Sequence, residues 1–186
     1  MEREVFMNIC VYGAASNDID KTYVEKTEEL GRYMGKNSIG LVFGAGANGL
    51  MGAVARGVLS ENGNIIGVIP RFFEGDGIRF EKCTEIIYTE TMRERKRIME
   101  DLSCAFIVTP GGTGTLDEFV EMFSLQNLDQ HRKPIAVFNI NGFYNTVLKM
   151  FDEMVEKGFL SESAVKRLIV TEDIEEMFSK IKEFQY

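Results

Sequence analysis

The stretch Thr109-Pro-Gly-Gly-Thr-Gly-Thr115 follows the apolar run CAFIVT (104–109) and precedes LDEFVEMFSL, whose spacing predicts a helix over 115–128. A glycine-rich turn feeding a helix can accept an anion on backbone N–H groups and the helix dipole, and Thr115 adds a hydroxyl. An alternative stands beside it: an ordinary packing turn in which Thr115-Leu-Asp-Glu118 is a T-x-x-E capping box. The turn lacks the Gly-Lys-Ser/Thr ending of a P-loop, so triphosphate hydrolysis is not expected. A second candidate lies in TMRERKRIMEDL (91–102), where the apolar stripe Met92, 95/96, Met99, Leu102 is occupied midway by Arg95 and Lys96. Inward cations are costly unless they face a cleft with an anionic partner; the alternative lets both snorkel to solvent. Because the stripe continues on both sides of the pair, a cleft is the expectation. The third candidate, Gly44-Ala-Gly46-Ala-Asn48-Gly49, matches G-x-G-x-x-G. It belongs to the second βα unit, however, and the next strand ends in Pro70-Arg71 without an acid for a ribose hydroxyl. It reads as a tight turn bringing backbone near a ligand, or as plain packing. His131, the single histidine, lies in the polar loop DQHRKP and reads as a loop residue near a strand start. One histidine and scattered carboxylates give no metal-ligand spacing, so no metal site is expected.

These residues need elements to position them. Short aliphatic runs alternate with amphipathic stretches: MNICVY, then 20–36; SIGLVF, then 49–62; NIIGVI; CTEIIY, then 91–102; CAFIVT, then 115–128; PIAVFN, then 142–157; RLIVT, then 172–182. The pattern predicts one domain over 1–186, an α/β, doubly wound, Rossmann-like parallel sheet of about seven strands flanked by helices. Ligands in such sheets bind beyond the carboxyl ends of the strands. That singles out the loops 13–18, 44–49, 70–80, 89–92 and 110–115, with Gly13, Ser16, Gly46 and Asn48 as candidate contacts. RFFEGDGIRFEK has no helical stripe and reads as a flap, with 71–80 closing over substrate.

Composition narrows the function. A net charge of −8 without a local basic patch argues against nucleic acid. No apolar run approaches the roughly 20 residues that span a bilayer, and the start carries no leader-like segment, so neither membrane nor secretion is expected. The three cysteines are far apart in strand-like runs, which suits a reducing cytoplasm.

Glu94-Arg95-Lys96 followed by Pro110-Gly-Gly-Thr-Gly-Thr-Leu-Asp-Glu118 resembles the LONELY GUY family of cytokinin riboside 5′-monophosphate phosphoribohydrolases. CVYGAAS, VFGAGANGLMGAVA, VIPRFF and HRKPIAVFN extend the likeness through most of the chain. The resemblance implies hydrolysis of the N-glycosidic bond of a purine nucleoside 5′-monophosphate, AMP or a cytokinin nucleotide, to free base and ribose 5-phosphate, with no cofactor. It implies Arg95 and Glu118 as catalytic residues, the arginine holding the glutamate ionised, and Lys96 as a substrate contact. Gly111, Gly112, Thr113, Gly114 and Thr115 would seat the 5′-phosphate. A homodimer is implied, with 91–102 and 115–128 as its interface; an intramolecular core is the other reading of their Met and Phe residues. Three departures bear on substrate identity more than on reaction type: Arg93 for a frequent His, Ala45 within a glycine triplet, and Leu125 for a frequent Trp. The name lysine decarboxylase, once given to many members, has no support in this sequence. The competing expectation is a non-catalytic nucleotide or molybdenum-cofactor carrier or sensor of the same fold.

Overall fold

The computed structural model of the chain describes residues 7–73 and 77–186. Seven strands form one sheet: β1 (Asn8–Tyr12), β2 (Gly40–Phe43), β3 (Ile65–Pro70), β4 (Glu85–Thr89), β5 (Ala105–Val108), β6 (Ile135–Phe138) and β7 (Ile169–Thr171). Every pairing is parallel and the order is β4-β3-β2-β1-β5-β6-β7. The helices are α1 (Lys21–Lys36), α2 (Gly49–Ser60), α3 (Met92–Asp101), α4 (Thr113–Asn127), α5 (Asn145–Glu156), α6 (Glu162–Lys166) and α7 (Ile174–Glu183). The doubly wound class expected from the alternation is therefore the observed one.

Strand alternation feeds two cores. Ile9 and Val11 of β1 point to the face covered by α1, α2 and α7, among Leu30, Val54 and Phe178. Cys10 and Tyr12 point to the other, among Met99, Phe119 and Phe151 of α3, α4 and α5. Both faces are covered, which is why central strands such as β2 and β5 are fully buried rather than alternating.

Two boundaries differ from the sequence pattern in ways that matter. α4 begins at Thr113, two residues before the expected start at 115. α6 was not expected at all, because five residues, ESAVK, are too few to show a stripe; its signal was the cap Ser161, whose side chain accepts from Ala164 N. The proposed flap is described in part: Arg71–Phe73 form a 3₁₀ turn, and Arg79 makes an antiparallel bridge with Gly46. Residues 74–76 of it lie outside the described residues. Among the described residues no helix is long and apolar enough to cross a membrane.

The strand order turns at β1, which has β2 on one side and β5 on the other. After β1 the chain passes to α1 on one face and after β5 to α4 on the other, and a crevice opens above the strand ends.

Candidate active site

A cleft of about 380 Å³ occupies that crevice, lined by residues 13–16, Met51, Met92, Arg95, the turn 112–115 and Glu118. The turn after β5 is rigidly held at its base. Tyr144 donates from its hydroxyl to Thr109 O (2.8 Å), Thr109 Oγ1 donates to Tyr12 O (2.9 Å), and Ala14 N donates to Pro110 O (3.1 Å). Gly13 lets the two loops approach, since a Cβ there would stand 2.3 Å from Thr109 Oγ1.

The helix end above this base is open. Gly112 is the N-cap of α4 and has no side chain to accept from the first turn, whereas Asp20, Thr91, Ser161 and Asp173 each accept a backbone N–H at their helices. The first-turn N–H groups of a helix have no intrahelical acceptor, so an anion here would meet donors and the positive end of the dipole. A Cβ at Gly112 or Gly114 would meet nothing within 4 Å, which leaves room for ligand oxygens. Thr115 lies inside the helix, buried against Gly111, and caps nothing. The capping-box reading of Thr115 and Glu118 is corrected accordingly: the helix starts too early for Thr115 to be its cap.

The second glycine loop differs. Leu50 N donates to Ala14 O (2.8 Å), and Gly49 N donates to Asn17 Oδ1 (3.1 Å), so protein groups close the start of α2. Gly49 has φ +56°, with Ala14 O only 2.4 Å from where a Cβ would be, so both backbone and space require glycine. Gly46 and Asn48 line an adjoining chamber of about 250 Å³ together with Ile69, Phe73 and Ile78. Ser16 lines the main cleft, its Oγ accepting from Asp18 N at 3.1 Å. Asn17, which ties the first loop to both Asn48 and Gly49, is a residue the sequence reading did not single out.

Arg95 and Lys96 part company. Arg95 is 8 % exposed; its Nε donates to Val68 O at 3.1 Å and its Nη1 lies 3.7 Å from Glu118 Oε1. This is the cleft position the interrupted stripe predicts. Lys96, one step round the helix, turns to the outer faces of α3 and α4, where Asp117 (3.0 Å) and Glu121 hold its ammonium. It lines a shallow groove of about 610 Å³ with Leu116 and Val120 rather than the cleft. That groove is the larger concavity, yet its carboxylates, Asp117 and Glu121, are more exposed than that of Glu118.

Glu118 carries the electrostatic signature of the site. Burial pushes its carboxyl up to about 7; Arg95 and Lys96 pull it down, while Asp117 and Glu121 push it further up. The expectation that Arg95 keeps Glu118 ionised is thus corrected. The arginine acts in that direction, but loss of hydration outweighs it. A carboxyl near 7 is half protonated at neutrality and suited to exchanging a proton with water. Other candidates for nucleophilic chemistry are quiet. Burial raises the thiols of Cys10, Cys83 and Cys104, which disfavours thiolate. His131 is buried outside the cleft, paired through Nε2 with Met122 O, and burial lowers its pKa. Among the described residues no group of three His, Cys, Asp or Glu is placed to hold a metal.

Of the three departures, Arg93 is exposed on α3, Leu125 packs against the core cluster beneath α4, and Ala45 adopts φ +58°. The last is a left-handed conformation unfavourable to a side chain, which explains why glycine suits that position.

Fold and site together define a doubly wound parallel α/β protein with an uncapped helix end and a buried carboxylate–guanidinium pair at its topological switch point. Residues 51–181 match the family model described as possible lysine decarboxylase. The cytokinin riboside 5′-monophosphate phosphoribohydrolase LOG3 of Arabidopsis thaliana is 33% identical over 184 residues, covering 99% of this chain and 86% of its own. Its namesake LOG from Oryza sativa subsp. japonica is 35% identical over 182 residues, covering 98% and 75%. The chain belongs to this LONELY GUY family. Among solved structures, the molybdenum cofactor carrier protein of Chlamydomonas reinhardtii superposes with a TM-score of 0.73 at 20% identity, covering 96% of this chain and 97% of that one. This likeness is one of fold.

Proposed function

We propose that the chain is a hydrolase cleaving the N-glycosidic bond of purine nucleoside 5′-monophosphates, cytokinin riboside 5′-monophosphates and AMP, to free base and ribose 5-phosphate. The observation that carries this reading is the presence in one cleft of an open helix end and the Arg95–Glu118 pair. The 5′-phosphate binds the turn 112–115, and binding energy gathered there positions the sugar over Glu118. Ionised Glu118 stabilises the oxocarbenium-like transition state and takes a proton from the attacking water. The water oxygen bonds to the anomeric carbon, the bond to the base nitrogen breaks with its electron pair, and the base leaves protonated by solvent. Water is the only co-reactant. Arg95 supports the ionised state of Glu118 and orients substrate.

The family names favour a cytokinin nucleotide, and the 250 Å³ chamber is an apolar neighbour for the base. The whole chain acts as one nucleotide-binding domain in the cytoplasm, as a homodimer across the outer faces of α3 and α4. There Val120 is 43% exposed beside Leu116, which favours a covered face. The second reading, a carrier, is favoured by the fold likeness to the cofactor carrier; it would need the anion seat but not the buried pair.

The test incubates purified protein with AMP and with isopentenyladenosine monophosphate, alongside Glu118→Ala and Arg95→Ala, and follows free base by chromatography. Release by the wild type and loss in both variants are expected. Binding without release would hand the site to the carrier reading. Sedimentation at micromolar concentration checks the dimer.

A further inference from the structure

Arg95 is a long side chain, and its usefulness depends on being held still. Its Nε is fixed by Val68 O within β3, and its Nη1 touches Met92 Sδ at 3.8 Å. The remaining wall is a missing side chain. Gly44 follows β2, and a Cβ there would lie 1.7 Å from Arg95 Nη2 and 2.9 Å from Cζ. The backbone of Gly44 is not in the left-handed region, unlike that of Gly49. Conformation therefore does not demand glycine here; the guanidinium does. Gly46 differs again, since its hypothetical Cβ meets the flexible end of Met51.

We propose that Gly44 is a positioning residue for hydrolysis: its bare backbone forms the seat that holds the Arg95 guanidinium beside Glu118. The kinetic consequence rests on the hydrolase reading above, while the seat itself does not. Glu118 is faced by Arg95 and Lys96 from α3, by Asp117 and Glu121 of its own helix, and by Cys10 and Tyr12 of β1, both kept neutral by burial. Arg95 is the nearest cation to it, so displacing the guanidinium changes the titration of this carboxyl more than any change on the outer face.

The experiment compares Gly44→Ala, Arg95→Ala and the double variant. The atoms in the way of the new methyl are side-chain ends, including Met51 Sδ at 3.3 Å, so the fold survives Gly44→Ala. Each single variant is expected to lower kcat by about 100-fold, the scale for losing one preorganised charge partner. The double variant should lie within about threefold of Arg95→Ala, because a seat without an occupant has no function left to lose. The acid limb of the pH–rate profile should move upward in Gly44→Ala as in Arg95→Ala, a change that mere loss of packing would not produce. Full activity of Gly44→Ala, or multiplied losses in the double variant, would overturn the proposal. A melting-temperature cycle judges the seat without turnover: Gly44→Ala should lower Tm in the native background and leave it unchanged when residue 95 is alanine. Equal lowering in both backgrounds would sink the seat. A wild type that releases no base from any nucleotide would sink the hydrolase reading, with the Tm cycle still deciding the seat.

Discussion

Two helices of this protein carry the same four-residue pattern near their starts, Thr91-Met-Arg-Glu94 in α3 and Thr115-Leu-Asp-Glu118 in α4. In α3 the pattern closes the helix: Thr91 Oγ1 accepts from Glu94 N at 3.1 Å, and Glu94 Oε2 accepts from Glu90 N at 2.8 Å. In α4 the helix has begun at Thr113, so Thr115 is interior and Glu118 falls on the buried face opposite Arg95. An offset of two residues turns what would be a capping carboxylate into a buried one that lines the cleft. The general point is that a cap and an anion compete for the same orphan N–H groups, and only the helix lacking a cap has any to offer.

The largest expected effect separates the two glutamates. Glu118→Gln should lower kcat by about 1000-fold, within the range for losing a positioned acid–base group, whereas Glu94→Gln should leave it within about twofold. Base release measured for both variants checks this. Equal losses would mean that the cap, too, belongs to the site.

The open end can also be made to resemble the closed one. Gly112→Asp places a carboxylate at the N-cap of α4, where a Cβ has free space. It should satisfy the first turn internally and repel a phosphate, raising KM by about 10-fold or more while adding a few tenths of a kcal/mol of stability. A rise in Tm without a rise in KM would show that nucleotide phosphate binds elsewhere.

A pH experiment sharpens the contrast further. Burial raises Glu118 to about 7 from an ordinary 4.5, so the folded state holds a proton that the unfolded chain has released over that interval. The stability contributed by the protonated carboxyl is present below 4.5 and is lost as pH rises through about 7. Denaturant unfolding at pH 5 and pH 8 should show wild type losing stability relative to Glu118→Gln. Activity should run the other way, rising through the same interval as the base ionises. A wild type and variant with parallel stability curves would remove the raised pKa from the account.

How much of this was readable beforehand depends on which interaction set each feature. All seven strands were legible, the five inner ones because buried parallel strands leave continuous apolar runs and the edge strands β4 and β7 because Ile86, Ile87, Ile169 and Val170 keep a short β-branched run. Arg95 was legible because a cation interrupting an apolar stripe needs a buried partner, although the stripe could not separate it from Lys96, one residue on. The start of α4 was not legible, since Thr113 and Gly114 are poor helix formers placed in the helix by the packing of the turn below them. Reading its start two residues late made Glu118 look like a cap. Asn17 was equally hidden, because its bond to Gly49 crosses 32 residues and exists only once β1 and β2 lie side by side.

The smallest expected effect tests the closed end directly. Thr91→Ala removes the acceptor for Glu94 N, a loss of about 1 kcal/mol, or a Tm drop of about 2–4 °C for a chain of this size. Arg95 lies only one turn from that cap, yet its position is set by Val68 O and by the space at Gly44 rather than by the helix mouth. Activity should therefore stay within about twofold of wild type at temperatures well below the transition. A variant that keeps its Tm but loses turnover would place Thr91 in the reaction, and the division between a structural helix end and a chemical one would fall.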